Sequence, residues 1–415
     1  MKRLVYVSAM LLALIAAGFH FTMKSHKGSG GKSLIPTASA AVPDAANPCT
    51  FPTQMAATPE QTAWQLFVAA TCPANGSQVV WENWIEQLNL YPASGQTGAK
   101  LNRRAGAKRL HGSPLAHAIA ANVRAQAVEL APSEECNAMQ GPPSNVVKGA
   151  TICEEARLNP SAQAFVTSNG YQVRPGQTKA AQQGTDIEFP APGVELKADW
   201  IPGTDFNPPF TCNNPPQGVH VETIQGKCYA LAGIHISSKL LKNWLWATFE
   251  PQNLTTNINR CVVLGCNDPW GSTPATSNGT FTQQTTALQS LMKQANLAPE
   301  WSNYRLDGAQ TDFGTVTSPT LLGNSVIEGD NVGMDLKQAS CITCHSVSSI
   351  KNDGTDGIVT LAAMPTPPVG PEFTPASGWI ARDFAWSLGL ACPAVKGVLQ
   401  NCTSPAGKMK KKKSK

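Results

Sequence analysis

Apolar residues recur at helical spacing early in the chain. Trp64, Phe67, Val68 and Thr71 stand at positions i, i+3, i+4 and i+7, which places them on one face of a helix. The preceding residues Thr-Pro-Glu-Gln at 58–61 supply a capping threonine, a proline at the first helical position and a glutamine three residues after the cap. The pattern predicts an amphipathic helix that begins at this cap.

A different pattern starts near residue 194, where polar and apolar residues alternate as far as residue 200. The segments 229–236 and 244–249 are rich in β-branched and aromatic residues, and a polar turn at 237–243 separates them. All three segments are predicted to be strands. The last two predict a small antiparallel sheet.

Two further helices are predicted at 117–130 and 283–295, each with a proline shortly after its end. Between about 93 and 220, Gly, Pro, Ser and Asn are frequent, so short elements joined by loops are expected there. The expected fold class is therefore α+β, a loop-rich domain with a small antiparallel sheet and peripheral helices.

Charge is distributed unevenly along the 415 residues. The chain has 32 Lys and Arg against 27 Asp and Glu, but the segments 1–40 and 408–415 are basic and contain no acid. Residues 41–407 therefore carry 21 basic and 27 acidic residues. A nucleic-acid interface requires a basic patch on the folded domain, so nucleic acid is not an expected partner. The lysine-rich tail at 406–415 is expected to be disordered and solvated.

The N-terminus has the features of an export signal. Lys2 and Arg3 precede an apolar stretch from residue 4 to residue 21, and the small residues at 38–40 offer a cleavage site. An uncleaved N-terminal membrane anchor is the alternative, because the cleavage site lies far beyond the apolar stretch. Both readings place the body of the chain outside the cytoplasm, which in a bacterium predicts a periplasmic location.

Twelve cysteines agree with export. Ten of them fall into neighbouring couples, which predicts disulfides in an oxidising compartment, although reduced core cysteines are an alternative. The couples are Cys49/Cys72, Cys136/Cys153, Cys212/Cys228, Cys261/Cys266 and Cys392/Cys402.

The two remaining cysteines form a motif with specific chemistry. Cys341-Ile342-Thr343-Cys344-His345 matches Cys-x-x-Cys-His, the attachment signature of c-type haem. The two thiols add to the haem vinyl groups, and the adjacent histidine becomes the proximal iron ligand. The sequence therefore predicts one covalent haem c held by Cys341, Cys344 and His345.

Two other chemistries use a Cys-x-x-Cys pair. A thioredoxin-like redox pair occurs beside a βαβ pattern, which the sequence around the motif does not have. A zinc site requires a second pair of cysteines or histidines at suitable spacing, which is also missing from the sequence. Haem attachment is the preferred interpretation.

The distal side of the iron has two main candidate ligands. Met364 follows His345 by 19 residues, in a loop that Pro365 keeps extended, and it is the preferred candidate. His235, in the predicted strand 229–236, is the alternative, and Met334 is a weaker third. A methionine ligand raises the reduction potential relative to histidine.

Aromatic and apolar residues after the motif are expected to form a dry wall of the haem pocket. Ordinary core packing explains each of them equally well. They are Trp379, Ile380, Phe384, Trp386 and Leu388.

With this motif, the chain resembles exported bacterial monohaem proteins of the cytochrome c family. The specific part of the resemblance is 341–345. Blocks of low chemical specificity accompany it at 64–68, 81–84, 194–200, 233–236, 244–250 and 383–388. The resemblance implies haem c binding and electron transfer, with no substrate. In class I cytochromes c the motif lies near the start of the domain, whereas here it lies near the end of the chain, so the haem is expected to pack against the upstream domain.

These observations predict four parts along the chain. Residues 1–40 are a signal peptide or N-terminal anchor with a linker, and 41–328 form a disulfide-rich α+β domain. Residues 329–405 form a helical haem c attachment segment packed on that domain, and 406–415 are the tail.

Two functions fit one haem in an exported chain. The first is a periplasmic electron carrier that exchanges single electrons with a redox partner protein of unknown identity. The second is a monohaem enzyme or gas-binding protein whose distal position is open to peroxide or a diatomic ligand. The histidines upstream of the motif favour the second, namely His111, His117, His220 and His235. A third interpretation makes the acidic upstream domain a scaffold that docks the redox partner.

Overall fold

An antiparallel sheet forms the centre of the fold. The computed structural model describes residues 47–76, 78–91, 110, 136–254, 259–357, 369–391, 394–395 and 398–399. The strands in this part of the chain are β1 Ile85–Glu86, β2 Asn137–Ala138, β3 Thr151–Leu158, β4 Val194–Pro202, β5 Val221–Ile224, β6 Lys227–Ser238, β7 Leu245–Pro251, β8 Cys266–Asn267, β9 Ser272–Thr273, β10 Thr276–Ser277, β11 Gln283–Gln284, β12 Tyr304–Gln310, β13 Ser349–Lys351, β14 Trp379–Ala381, β15 Ala394–Val395 and β16 Val398–Leu399. Eight of them form the central sheet in the order β1-β3-β4-β6-β7-β12, with β2 paired to β3 and β5 paired to β6.

The predicted strands at 194–200, 229–236 and 244–249 correspond to β4, β6 and β7, so the antiparallel sheet is confirmed. It extends well beyond the two neighbouring strands that were predicted. The pattern of β3 explains the difference, because seven of its eight residues are buried, charged ones included. A strand covered on both faces lacks the alternation by which a half-exposed strand is found in a sequence.

Short helices surround the sheet. Among the described residues they are α1 Pro59–Thr71, α2 Gln87–Leu90, α3 Pro160–Ser168, α4 Arg174–Gln182, α5 Arg260–Val263, α6 Thr286–Gln294 and α7 Cys341–Ser346, and Ser325–Val332 form a π-helix. The predicted cap of α1 is confirmed, since the Thr58 hydroxyl accepts a hydrogen bond from the Gln61 amide at 3.1 Å. The helix predicted at 283–295 corresponds to α6, whereas the one predicted at 117–130 lies outside the described residues.

One face of the sheet packs against α1 and forms the main core. Trp64, Phe67 and Val68 are buried there as the helical spacing predicts. The ring of Phe67 lies 4.5 Å from that of Phe249 on β7, measured between centroids. Burying apolar side chains on both sides of this contact is what anchors the helix to the sheet.

The opposite face of the sheet carries buried polar side chains next to a smaller apolar cluster. The segment that contains the π-helix covers it and satisfies its polar groups. The side-chain amide of Asn324 donates to the Thr248 hydroxyl at 2.8 Å, and the side-chain amide of Asn331 donates to the Asp199 carboxylate at 2.7 Å. Because buried polar groups are costly without partners, these bonds determine where the segment before the Cys-x-x-Cys-His motif lies on the sheet.

Four of the five predicted disulfides are confirmed. They join Cys49 to Cys72, Cys136 to Cys153, Cys212 to Cys228 and Cys261 to Cys266. The fifth couple, Cys392 and Cys402, lies outside the described residues. Among the described cysteines, Cys341 and Cys344 are free.

All described residues belong to one compact unit. The mixed α and β composition with antiparallel sheets and disulfides agrees with the predicted class. No helix among the described residues has both the length and the apolar content needed to cross a membrane. The predicted signal or anchor at 1–40 and the tail at 406–415 lie outside the described residues, and the boundary between 328 and 329 stays a prediction.

Candidate functional site

The motif occupies the short helix α7, and a side chain of the sheet holds its first turn. Gln310, at the end of β12, accepts a hydrogen bond from the Ile342 amide at 3.0 Å and donates one to the Ser340 hydroxyl at 3.0 Å. The Thr343 hydroxyl donates to the Gly370 carbonyl at 2.9 Å. The helix is thereby attached to the sheet on one side and to the chain after the motif on the other.

His345, the last residue of the motif, has a defined hydrogen bond. Its Nδ1 lies 2.9 Å from the carbonyl oxygen of Phe384, so Nδ1 carries the proton and Nε2 keeps its lone pair. The ring contacts those of Trp246 and Trp386, at centroid distances of 4.6 and 5.3 Å. Burial lowers the pKa of His345 to about 4, and the imidazole is therefore neutral near pH 7. A neutral imidazole with a free Nε2 is the form that ligates a metal.

The two thiols of the motif are largely buried. Cys344 is buried, and the Cys341 thiol donates to the Leu322 carbonyl at 2.9 Å. Burial raises the pKa of Cys344 to about 12 and raises that of Cys341 well above its usual range. A thioredoxin-like pair requires a lowered thiol pKa, so these cysteines lack the property on which that chemistry depends. The antiparallel sheet beside them also differs from the βαβ context of such a pair.

A cavity of about 80 Å³ adjoins both thiols and the histidine. It is lined by Gln87, Glu154, Ala156, Glu195, Lys197, His235, Leu322, Glu328, Met334, Ala339, Ser340, Cys341, Cys344, His345, Trp386, Ser387, Gly389 and Leu390. The motif therefore forms one wall, and the polar face of the sheet forms the opposite side.

Charged side chains of β3 and β4 line the sheet side of the cavity. Lys197 Nζ lies 2.9 Å from Glu154 Oε2. Burial opposes the charge on Lys197, but the pKa of its ammonium is raised because the combined attraction of Glu154, Asp199 and Glu328 outweighs burial. Burial raises the pKa of Glu195 to about 7. The cavity thus combines apolar walls with groups that hold or exchange protons.

His235 projects from β6 into the same cavity. Its Nε2 is buried without a hydrogen-bond partner and lies 3.3 Å from Glu328 Oε2, within ion-pair distance. Glu328 belongs to the π-helix, a conformation that is frequent at functional sites. Burial opposes the charge on Glu328, yet its pKa is lowered by His235 and Lys197. Because the contact with Glu328 is an ion pair and not an aligned hydrogen bond, this ring nitrogen is a candidate for binding a ligand or metal.

Haem c fits this set of residues. The cavity lining includes two free thiols, a histidine with a free Nε2, the indole of Trp386 and the ring of His235, whose Nε2 contacts Glu328. Cys341, Cys344, His345 and His235 are therefore brought together as predicted site residues. Met364 lies outside the described residues, and Met334 lines the cavity.

The apolar residues predicted to line the pocket separate into three groups. Trp386 lines the cavity, and Phe384 contributes its carbonyl group to His345. Ile380 and Leu388 are buried in a core cluster, whereas Trp379 lines a different cleft.

Sequence reasoning missed Trp246, Lys197, Glu195 and Glu328. The alternation of 194–200 already distinguished the polar positions 195 and 197, but it did not indicate that the Cys-x-x-Cys-His motif would cover them.

Two other clusters of the described residues are separate from the cavity lining. Cys261, Cys266 and Asp307 approach one another closely, but the two sulfurs form a disulfide and are not available to a metal. His220 is buried, with Nε2 2.9 Å from Glu82 Oε1 and its ring stacked on Trp301. It is a satisfied core histidine, and nothing in its surroundings indicates a ligand.

Comparison with known proteins adds no relative. No protein-family model, curated protein or solved structure matches this chain.

Proposed function

We propose that this chain is an exported c-type cytochrome with one covalent haem, and that its function is the transfer of single electrons. Cys341 and Cys344 form the thioether bonds, and His345 is the proximal ligand. The observation that carries the proposal is the free Nε2 of His345, which the hydrogen bond from Nδ1 to Phe384 leaves available beside two unpaired thiols. In an exported chain whose other described cysteines are paired, two free cysteines call for another use.

For the sixth ligand we propose His235. Its support is the position of its buried Nε2 on the sheet side of the cavity that contains the motif, where the nitrogen has an ion-pair contact with Glu328 but no aligned hydrogen bond. Two histidine ligands produce a lower reduction potential than histidine with methionine. Met364 stays the competing prediction from the sequence.

Bound haem supplies a one-electron iron couple. The chain's own residues hold the group and exclude water from it. Trp246 and Trp386 flank His345, and the bonds from Gln310 hold the motif helix in position. A site held in this way changes little between oxidation states, which favours fast electron transfer.

Haem attachment is tested by producing the full chain together with a cytochrome c assembly system and measuring the mass and the absorption of the denatured protein. The wild type should retain one haem after denaturation. Cys341→Ser and Cys344→Ser should each lose a thioether bond, and the double variant should lose all covalent haem. The matched control is Cys261→Ser with Cys266→Ser, which should keep it. Wild-type protein without covalent haem would overturn the proposal.

A second function is favoured by the charged groups of the cavity. If His235 does not bind iron, then His235, Lys197 and Glu328 form a polar distal site suited to peroxide or a diatomic ligand. Carbon monoxide separates the two functions. A reduced electron carrier should not bind carbon monoxide unless its sixth iron ligand is lost. A protein with an open distal position should bind carbon monoxide rapidly.

Export to the periplasm and exchange with a redox partner protein are part of the proposal. The four disulfides support an oxidising compartment. The N-terminal sequence of the mature protein shows whether residues 1–40 are retained as an anchor or removed. Capture of the partner at low and at high salt tests whether the acidic body steers the encounter.

A further inference from the structure

The hydrogen bond on His345 depends on an unusual turn. Asp383 and Phe384 follow each other in the chain, and both have a positive φ although neither is glycine, at 49° and 65°. The left-handed region is unfavourable for residues with a side chain, and more so for a bulky one such as phenylalanine. Two such residues in succession persist only where the surrounding contacts hold them.

The turn directs one backbone group at the motif. It carries the Phe384 carbonyl to within 2.9 Å of His345 Nδ1. The Ala385 amide donates to the Arg382 carbonyl at 2.9 Å and closes the turn. The Arg382 amide donates to the Ser348 carbonyl at 2.9 Å, which fixes the turn to the chain that follows the motif.

The Asp383 side chain ties the same turn to the sheet. Its Oδ1 lies 2.6 Å from Lys239 Nζ, and its Oδ2 accepts from the Phe189 amide at 2.7 Å. The Asp383 and Lys239 side chains are only 5% and 12% exposed. Lys239 directly follows β6, the strand that contains His235. Charge-assisted bonds of this kind are the strong ones, so both carboxylate oxygens oppose relaxation of the turn.

We propose that Asp383 is a positioning residue for His345: with Lys239 it holds the left-handed turn, and through the Phe384 carbonyl it sets the tautomer and orientation of the imidazole. The effect of this positioning on the iron rests on the proposed function. A hydrogen bond from Nδ1–H makes the ligand more basic, and a more basic ligand lowers the reduction potential. Asp383 touches neither the iron ligand atom nor the thiols.

The first test uses the haem-free chain and measures the imidazole nitrogen shifts of His345 by NMR. Wild type should have the Nδ1–H tautomer, and Asp383→Ala and Lys239→Met should shift toward Nε2–H. Lys239→Arg keeps the charge and should retain the wild-type tautomer. The matched control is Asp186→Asn, whose carboxylate accepts from the nearby Ala381 amide at 2.9 Å but does not touch the turn. An unchanged tautomer in Lys239→Met and Asp383→Ala would overturn the proposal.

The second test uses the haem-loaded chain and measures its reduction potential. Asp383→Ala and Lys239→Met should raise the potential, while Lys239→Arg and Asp186→Asn should leave it unchanged. If Asp383→Ala does not fold, the pair Lys239→Met and Lys239→Arg decides the question. Equal potentials in that pair contradict the positioning role. If the wild type carries no covalent haem, the proposed function fails, and the tautomer measurement still decides the role of Asp383.

Discussion

His235 and Glu328 face each other across the junction of β6 and the π-helix, with 3.3 Å between Nε2 and Oε2. The backbone amide of Asn324 donates to the same carboxylate oxygen of Glu328 at 2.8 Å and keeps it in place. Lys197 occupies the position paired with His235 in the neighbouring strand. The group proposed to bind iron therefore lies among charges that the fold holds fixed.

The identity of the sixth ligand leads to a spectroscopic prediction. Ferric wild type should lack the sulfur-to-iron charge-transfer band, because His235 contributes nitrogen. His235→Ala should become high-spin and bind carbon monoxide when reduced, whereas Met364→Ala should keep the wild-type spectrum. A charge-transfer band that is present in wild type and lost in Met364→Ala would establish Met364 instead.

Stability should depend on pH through His220. Burial disfavours its charged form, but the nearby carboxylates of Glu300 and Glu82 together outweigh burial and raise the pKa of His220 to about 9 from its ordinary value of 6.5. A raised folded-state pKa adds stability that is fully present below pH 6.5 and is lost as the pH rises through 9.

The expected loss is about 3 kcal/mol, since each unit of pKa shift corresponds to about 1.4 kcal/mol. Urea unfolding of wild type and His220→Gln, measured at several pH values from 6.5 to above 9, isolates the contribution of this residue. The difference in unfolding free energy between the two proteins should shrink at high pH. A constant difference would show that His220 stabilises the fold by packing alone.

Gly233 should be required for the close approach of the π-helix to the sheet. A Cβ atom at this position of β6 would lie 3.0 Å from Asn324 Oδ1 and 3.1 Å from Ile327 Cγ1. Overpacking of this kind costs about 1–3 kcal/mol, so Gly233→Val should lower the free energy of unfolding by that amount. Thr223→Val is the control, since it introduces the same side chain at an exposed position of β5. Equal effects of the two substitutions would contradict the packing argument.

The disulfides should differ in their contribution to stability according to the loops that they close. Cys49–Cys72 spans 23 residues and Cys261–Cys266 spans 5. The chain-entropy relation predicts about 3 kcal/mol for the first and about 2 kcal/mol for the second. Chemical unfolding of the two paired Cys→Ala variants measures this order. The reverse order would indicate that native-state contacts, such as those of Cys266 with Asp307, dominate over loop entropy.

Local patterns were sufficient for several elements of this protein. The cap at Thr58, the spacing of Trp64 and Phe67, and the neighbouring cysteine couples act over a few residues to a few tens of residues. Such signals can be read from the sequence because the groups that interact are close along the chain. The Cys-x-x-Cys-His motif belongs to the same class, and it identified the site wall formed by α7.

The rest of the site was decided only by tertiary structure. The alternation in β4 separates two faces of the strand, but it does not state what covers the polar one. His235 was a candidate ligand in the sequence, but it and Lys197 face the cavity only because the π-helix and the motif fold back over them. The Phe384 carbonyl likewise has no sequence signal, since backbone groups are the same at every residue and only the fold determines which of them meets His345.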